Sequence, residues 1–112
     1  MKRYASIIAV RPELEAKYLE LHSAVWPEVN ATISECNIKN FSIFIREMPD
    51  KTKYLFMYFE YHGTDYAADM AKMAAEPVTQ KWWEECKPCQ EPLPNRAEGE
   101  WWAAMEEVCH HD

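Results

Sequence analysis

The hydrophobic positions change their period several times along the chain, and each change predicts an element. Lys2–Val10 is a short apolar run that contains Ile7, Ile8 and Val10 and stops at Arg11-Pro12, the pattern of a strand. Pro12 suits the first turn of a helix, where its missing N–H is no loss, and Glu13 and Glu15 suit the positive end of that helix. Leu14, Tyr18, Leu21, His22 and Val25 then recur at helical spacing and define one face. Pro27 breaks or restarts the helix, Glu28–Cys36 continues it with Val29 and Ile33 inward, and Asn37 suits a helix stop.

Two alternating runs follow. In Ile38–Glu47, Phe41, Ile43 and Ile45 point one way and Ser42, Phe44 and Arg46 the other. In Lys53–Tyr61, Tyr54, Phe56, Tyr58 and Glu60 oppose Leu55, Met57 and Phe59. The turn Met48-Pro49-Asp50-Lys51 between them predicts a hairpin. Thr64 or Asp65 can cap a helix running to Ala75, and Pro77 starts another over Val78–Cys86. Lys87–Glu100, with three prolines and a glycine, predicts a loop. Glu100–Cys109 predicts a last strand, most securely at Met105–Cys109. The order β–α–β–β–α–β makes an α+β, ferredoxin-like antiparallel sheet with helices on one face. The other face also carries large apolar side chains, and a second copy of the chain is its simplest cover.

Composition narrows the function. The 112 residues predict a single domain, 1–112, and 48% apolar content excludes disorder. A net charge of −7 without a Lys/Arg cluster argues against nucleic acid and against an anionic membrane surface. The apolar run near Met1 is too short to span a bilayer and lacks a signal-peptide cleavage site, so the expected compartment is the cytoplasm, with its cysteines reduced.

Three constellations could carry chemistry. Tyr18 and His22, at i and i+4, project from one helical face, and an imidazole there suits proton transfer near neutral pH. Spacing alone favours two satisfied core residues that bond each other or backbone. Trp82 and Trp83 point about 100° apart on a helix, so one can be core while the other offers its ring to a sugar; ordinary packing explains them as well. Trp101-Trp102 invites the same argument from a loop. Cys86-Lys87-Pro88-Cys89 has the spacing of a zinc or redox pair, but it ends a helix and enters a proline-rich loop, which does not suit a redox pair, and the second half of a zinc site, Cys109, His110 and His111, is a crowded C-terminal tail. Glu106 and Glu107 point to opposite sides of a strand, so one of them could enter a site on the helix side. No glycine-rich phosphate loop is possible with two glycines.

Taken together, Val10-x-Pro12, Tyr18-x3-His22-x3-Trp26-Pro27-Glu28, Asn40-Phe41-Ser42-Ile43-Phe44, Trp82-Trp83 and Met105-x-Glu107-Val108 resemble the L-rhamnose mutarotase family over nearly the whole chain. The resemblance implies a dimeric α+β barrel, a monosaccharide substrate and no cofactor or metal. It implies that His22 is the proton donor and that Tyr18, Phe41, Trp82 and Trp83 occupy sugar-contacting positions. The family usually has tyrosine where this chain has Phe41, and Cys109 and His110 also depart from its pattern, so another sugar such as L-fucose stays open. Mutarotation needs a proton delivered to the ring oxygen and one removed from the anomeric hydroxyl. His22 would do the first, with Tyr18 orienting it or binding a sugar hydroxyl, and no residue is named for the second. Two rival readings are a haem-degrading or quinol-oxidising monooxygenase on the same fold and a non-catalytic binding module.

Overall fold

A computed structural model describes all residues, Met1–Asp112. Strand β1 (Lys2–Val10) leads through a single 3-10 turn, Pro12–Leu14, into helix α1 (Glu15–Ser23). Helix α2 (Pro27–Glu35) follows after a three-residue break, with Pro27 in its first turn. Strands β2 (Ile38–Glu47) and β3 (Lys53–Tyr61) form the hairpin, and helices α3 (Tyr66–Ala75) and α4 (Pro77–Cys86) succeed them. Two short strands, β4 (Gln90–Glu91) and β5 (Ala103–Met105), complete the sheet. No helix is long and apolar enough to cross a membrane.

The strand order is β2-β3-β1-β4, all pairs antiparallel, with β5 also pairing β1. Two fragments thus share the fourth position of a ferredoxin-like sheet: β4 covers Ala9 and Val10, and β5 covers Ala5–Ile7. This corrects the expected C-terminal end. The last strand stops at Met105 and does not occupy Met105–Cys109, and the expected loop contains β4. Backbone pairing breaks off at Met105, and beyond it the tail meets β1 through side chains, with Glu107 bonded to Arg3. Gln90–Glu91 pairs with Ala9–Val10 and Ala103–Met105 with Ala5–Ile7, and Glu106–Asp112 forms no strand.

Local chemistry sets the helix ends. Asn37 adopts a left-handed φ of 65° where α2 stops, a conformation asparagine tolerates better than most residues. Asp65 accepts a hydrogen bond from the Ala68 N–H at 3.1 Å and caps α3. Glu76 does the same for α4, accepting from the N–H groups of Val78 and Thr79 at 3.0 and 2.6 Å. A bulge lies in β2 between Lys39 and Ser42, where Asn40 has φ 52°. It puts the side chains of Phe41, Ile43 and Ile45 on the same side as Ile38, facing the helices.

The core lies between sheet and helices. Ile8, Val10 and Leu55 from the sheet meet Tyr18, Val29, Trp82, Cys86 and Cys89. A second cluster of Ile38, Phe59 and Tyr61 packs beneath Tyr66, Met70 and Met73 of α3. The opposite face of the sheet is open. It carries Ile7, Tyr54, Phe56 and Tyr58, with Phe44 64% and Met105 39% exposed.

Candidate active site

The aromatic constellation assembles where α1, α2 and α4 meet over β1. One turn of helix separates Tyr18 from His22, and their rings stack with centroids 4.1 Å apart at 25°. The Trp82 indole meets the imidazole edge-on at 5.2 Å, and Trp26, the residue preceding α2, meets Trp82 edge-on at 5.1 Å. The four rings form one continuous wall: Tyr18, His22, Trp82, Trp26. The first join lies within α1, the second brings α4 against it, and the third adds the residue that leads into α2.

The imidazole has a defined tautomer. His22 Nδ1 lies 2.9 Å from the Tyr18 carbonyl oxygen. A carbonyl only accepts, so Nδ1 carries the hydrogen and donates it. Nε2 is then the nitrogen free to exchange a proton. Burial lowers the His22 pKa below its ordinary 6.5, and the Tyr18 carbonyl opposes the shift only in part. The resting side chain near neutral pH is therefore neutral, with a lone pair at Nε2.

Tyr18 is the anchor of the group. It is 2% exposed, and burial raises its hydroxyl pKa, so it stays protonated. Its hydroxyl makes no bond of full hydrogen-bonding geometry; the Gln90 side chain is the polar group that faces it. Cys86 and Cys89 line the floor below, both buried as thiols, and burial pushes the Cys86 pKa up to about 12. Such thiols are poor nucleophiles and poor redox partners. They serve as small apolar packing groups beside Tyr18 and Trp82.

The two tryptophans of the pair separate as their helical positions require. Trp82 is 6% exposed and belongs to the core, whereas Trp83 is half-buried. Lys87 lies over the Trp83 ring at 5.8 Å and over the Trp101 ring at 5.5 Å. Phe41 is not brought to the imidazole. It stacks on Phe59 at 6.2 Å in the second cluster and stays 40% exposed, although on the same side of the sheet. Neither candidate carboxylate joins the wall: Glu107 pairs with Arg3 at 2.8 Å, and Glu106 is exposed. A groove of about 300 Å³ runs along the outer side of α1, lined by Lys17, Glu20, Leu21, Ala24 and Trp26. Through Trp26 it adjoins the wall. Sequence reasoning missed Gln90 and the use made of Trp101, whose indole N–H donates to Gln90 Oε1 at 2.8 Å. No local signal marks a glutamine among prolines as buried.

Comparison with known proteins agrees with the residue pattern. Residues 3–111 match the sequence model of the L-rhamnose mutarotase family. An L-rhamnose mutarotase of Listeria monocytogenes serotype 4b (strain F2365) is 34% identical over 97 residues, covering 87% of this chain and 88% of its own. That of Bacillus subtilis (strain 168) is 33% identical over 88 residues, covering 79% of each. Among solved structures, an L-rhamnose mutarotase of Formosa agariphila superposes with a TM-score of 0.74 at 20% identity, covering 100% of both chains. A tetracenomycin F2 cyclase of Streptomyces glaucescens superposes with a TM-score of 0.69 at 13% identity, covering 100% of this chain and 98% of its own. At those identities the two structures speak for the fold alone, an α+β half-barrel.

Proposed function

The chain belongs to the L-rhamnose mutarotase family, and from that premise we propose that it interconverts the α and β anomers of L-rhamnose at the His22 wall. Such an enzyme is an isomerase: the pyranose hemiacetal opens, the C1–C2 bond turns and the ring recloses. The observation that carries the site is the fixed imidazole, with Nδ1 held by the Tyr18 carbonyl and its ring between Tyr18 and Trp82.

In this reading His22, as imidazolium, donates from Nε2 to the ring oxygen as the ring opens. It takes that proton back as the ring closes. Tyr18 orients the imidazole, because its own hydroxyl is turned into the core. Trp82 and Trp83 supply indole surface for the C–H face of the sugar. Phe41 adds an apolar ring on the same side of the sheet, without the hydroxyl that a tyrosine would bring. The group that accepts the anomeric proton is water or a side chain not yet identified.

An NMR exchange measurement tests this directly. Saturation of one anomeric proton signal of L-rhamnose transfers to the other faster when the protein is added, and L-fucose and L-mannose run in parallel rank the sugars. Failure to accelerate exchange in any of the three overturns the enzymatic reading. The pH profile then tests the role of His22. Its pKa lies below 6.5 because burial disfavours the charged form. A general acid must be protonated, so kcat/KM for the free enzyme falls as pH rises through that pKa. A rise through the same pKa would make His22 the base instead.

We also propose that the chain works as a single-domain homodimer in the cytoplasm. The buried thiols of Cys36, Cys86 and Cys89 suit a reducing compartment. The open sheet face offers Ile7, Phe44, Phe56 and Met105 to a second copy, which would close two half-barrels on one another. Phe44→Asp places a charge at the most exposed of these rings. It is expected to convert dimer to monomer in sedimentation experiments; a dimer that survives it places the interface elsewhere.

A further inference from the structure

Gln90 occupies an unusual position for a polar side chain. Its backbone pairs with Val10 at the sheet edge, while the residue is only 5% exposed and lies beside the core that holds Tyr18. A buried amide is costly unless its polar atoms find partners. The Oε1 atom has one, the Trp101 indole N–H at 2.8 Å. Because an indole N–H can only donate, this bond decides which end of the amide is oxygen. The NH2 end then has two donors to place. The Tyr18 hydroxyl is buried and makes no hydrogen bond of full geometry, and the register of Gln90 opposite Val10 puts the amide on its side of the sheet, where the hydroxyl is the acceptor left for it.

The consequence reaches the imidazole. One hydrogen bond, from Nδ1 to the Tyr18 carbonyl, fixes a point on the His22 ring but leaves it free to swing about that bond. The stack on the Tyr18 ring, at 4.1 Å, removes the remaining freedom. Whatever fixes the phenol therefore fixes where Nε2 points. We propose that Gln90, locked by Trp101, is a positioning residue for mutarotation: it holds the Tyr18 phenol and, through the Tyr18–His22 stack, places Nε2. The C-terminal segment, which brings Trp101 back to Gln90 across 11 residues, thereby sets the geometry of a site built on α1. The inference rests on the reading of His22 as the proton-transfer group.

The experiment is a double-mutant cycle with anomer exchange as readout. Trp101→Phe keeps an aromatic ring, smaller than the indole, and deletes the N–H; Gln90→Met keeps the volume and deletes the amide. Each is expected to lower kcat by roughly 3–10-fold, with KM for L-rhamnose changed less than twofold, since a misaimed nitrogen slows transfer without loosening the sugar. In a Tyr18→Phe background the hydroxyl they act on is gone, so neither is expected to lower kcat further. A merely structural role would instead lower stability and multiply with the Tyr18→Phe loss. Trp101→Phe also trims part of the indole surface that packs on the core, so its melting temperature is read beside kcat, and it remains informative should Gln90→Met fail to fold. Single variants within twofold of the parent kcat, or losses that multiply, overturn the inference. His22→Asn separates the two failures: if it is inactive while these variants behave as the parent, only the positioning role falls, and if it is fully active, both fall.

Discussion

Replacing His22 with Asn is expected to slow anomer exchange by about 10²–10⁴-fold, the range that a positioned general acid contributes. The asparagine amide can still donate to the Tyr18 carbonyl, so the helix turn keeps its bond. It cannot exchange a proton near neutral pH, so the chemistry is lost. His22 is half-buried at the last turn of α1 and not part of the central core. The melting temperature should therefore move by only a few degrees, and circular dichroism should be unchanged. His22→Ala should be as inactive but less stable, because it removes a ring from between Tyr18 and Trp82. Undiminished exchange in folded His22→Asn would remove the imidazole from the mechanism.

Trp82→Ala should produce the largest loss of stability. Trp82 is 6% exposed and touches both His22 and Trp26, and it sits in one cluster with Ile8, Val10, Tyr18 and Leu55. Truncating a buried tryptophan typically costs about 3–5 kcal/mol, from lost transfer energy and from the cavity left behind. A chain of this length has on the order of 5–15 kcal/mol in total. The melting temperature should drop on the order of 15 °C, measured at fixed protein concentration because association would shift it. Trp83→Ala, at a half-buried position, should cost no more than about 2 kcal/mol. The asymmetry is the test. Equal losses at the two positions, or less than about 1 kcal/mol at Trp82, would contradict the assignment of Trp82 as the joint between the helices.

These two substitutions lie at different distances from what the sequence displays. The Tyr18–His22 pair was legible because it depends on one local rule: residues four apart on a helix share a face. The break at Pro27, the stop at Asn37, the cap at Asp65 and the alternation of the β2–β3 hairpin were legible for the same reason. Each follows from the dihedral or hydrogen-bonding habits of residues within one turn. The C–x2–C spacing was legible too, and its position at the end of a helix already argued for packing over chemistry.

Other features had no local sign. Both indoles of Trp82-Trp83 fit a core or a pocket; only the approach of α1 and α2 decided that Trp82 is buried. Phe41 lies in a motif that carries the resemblance, but the partner it meets within this chain is Phe59. The last strand was placed too late because strand pairing is settled by a distant partner, and β1 takes its backbone pairs from Gln90–Glu91 and Ala103–Met105. The Trp101–Gln90–Tyr18 alignment joins three segments that periodicity treats as unrelated. Sequence alone determined which elements form and which residues share a face of each. Tertiary packing decided which faces meet and which polar atoms lose water, because those depend on contacts between residues far apart in the chain.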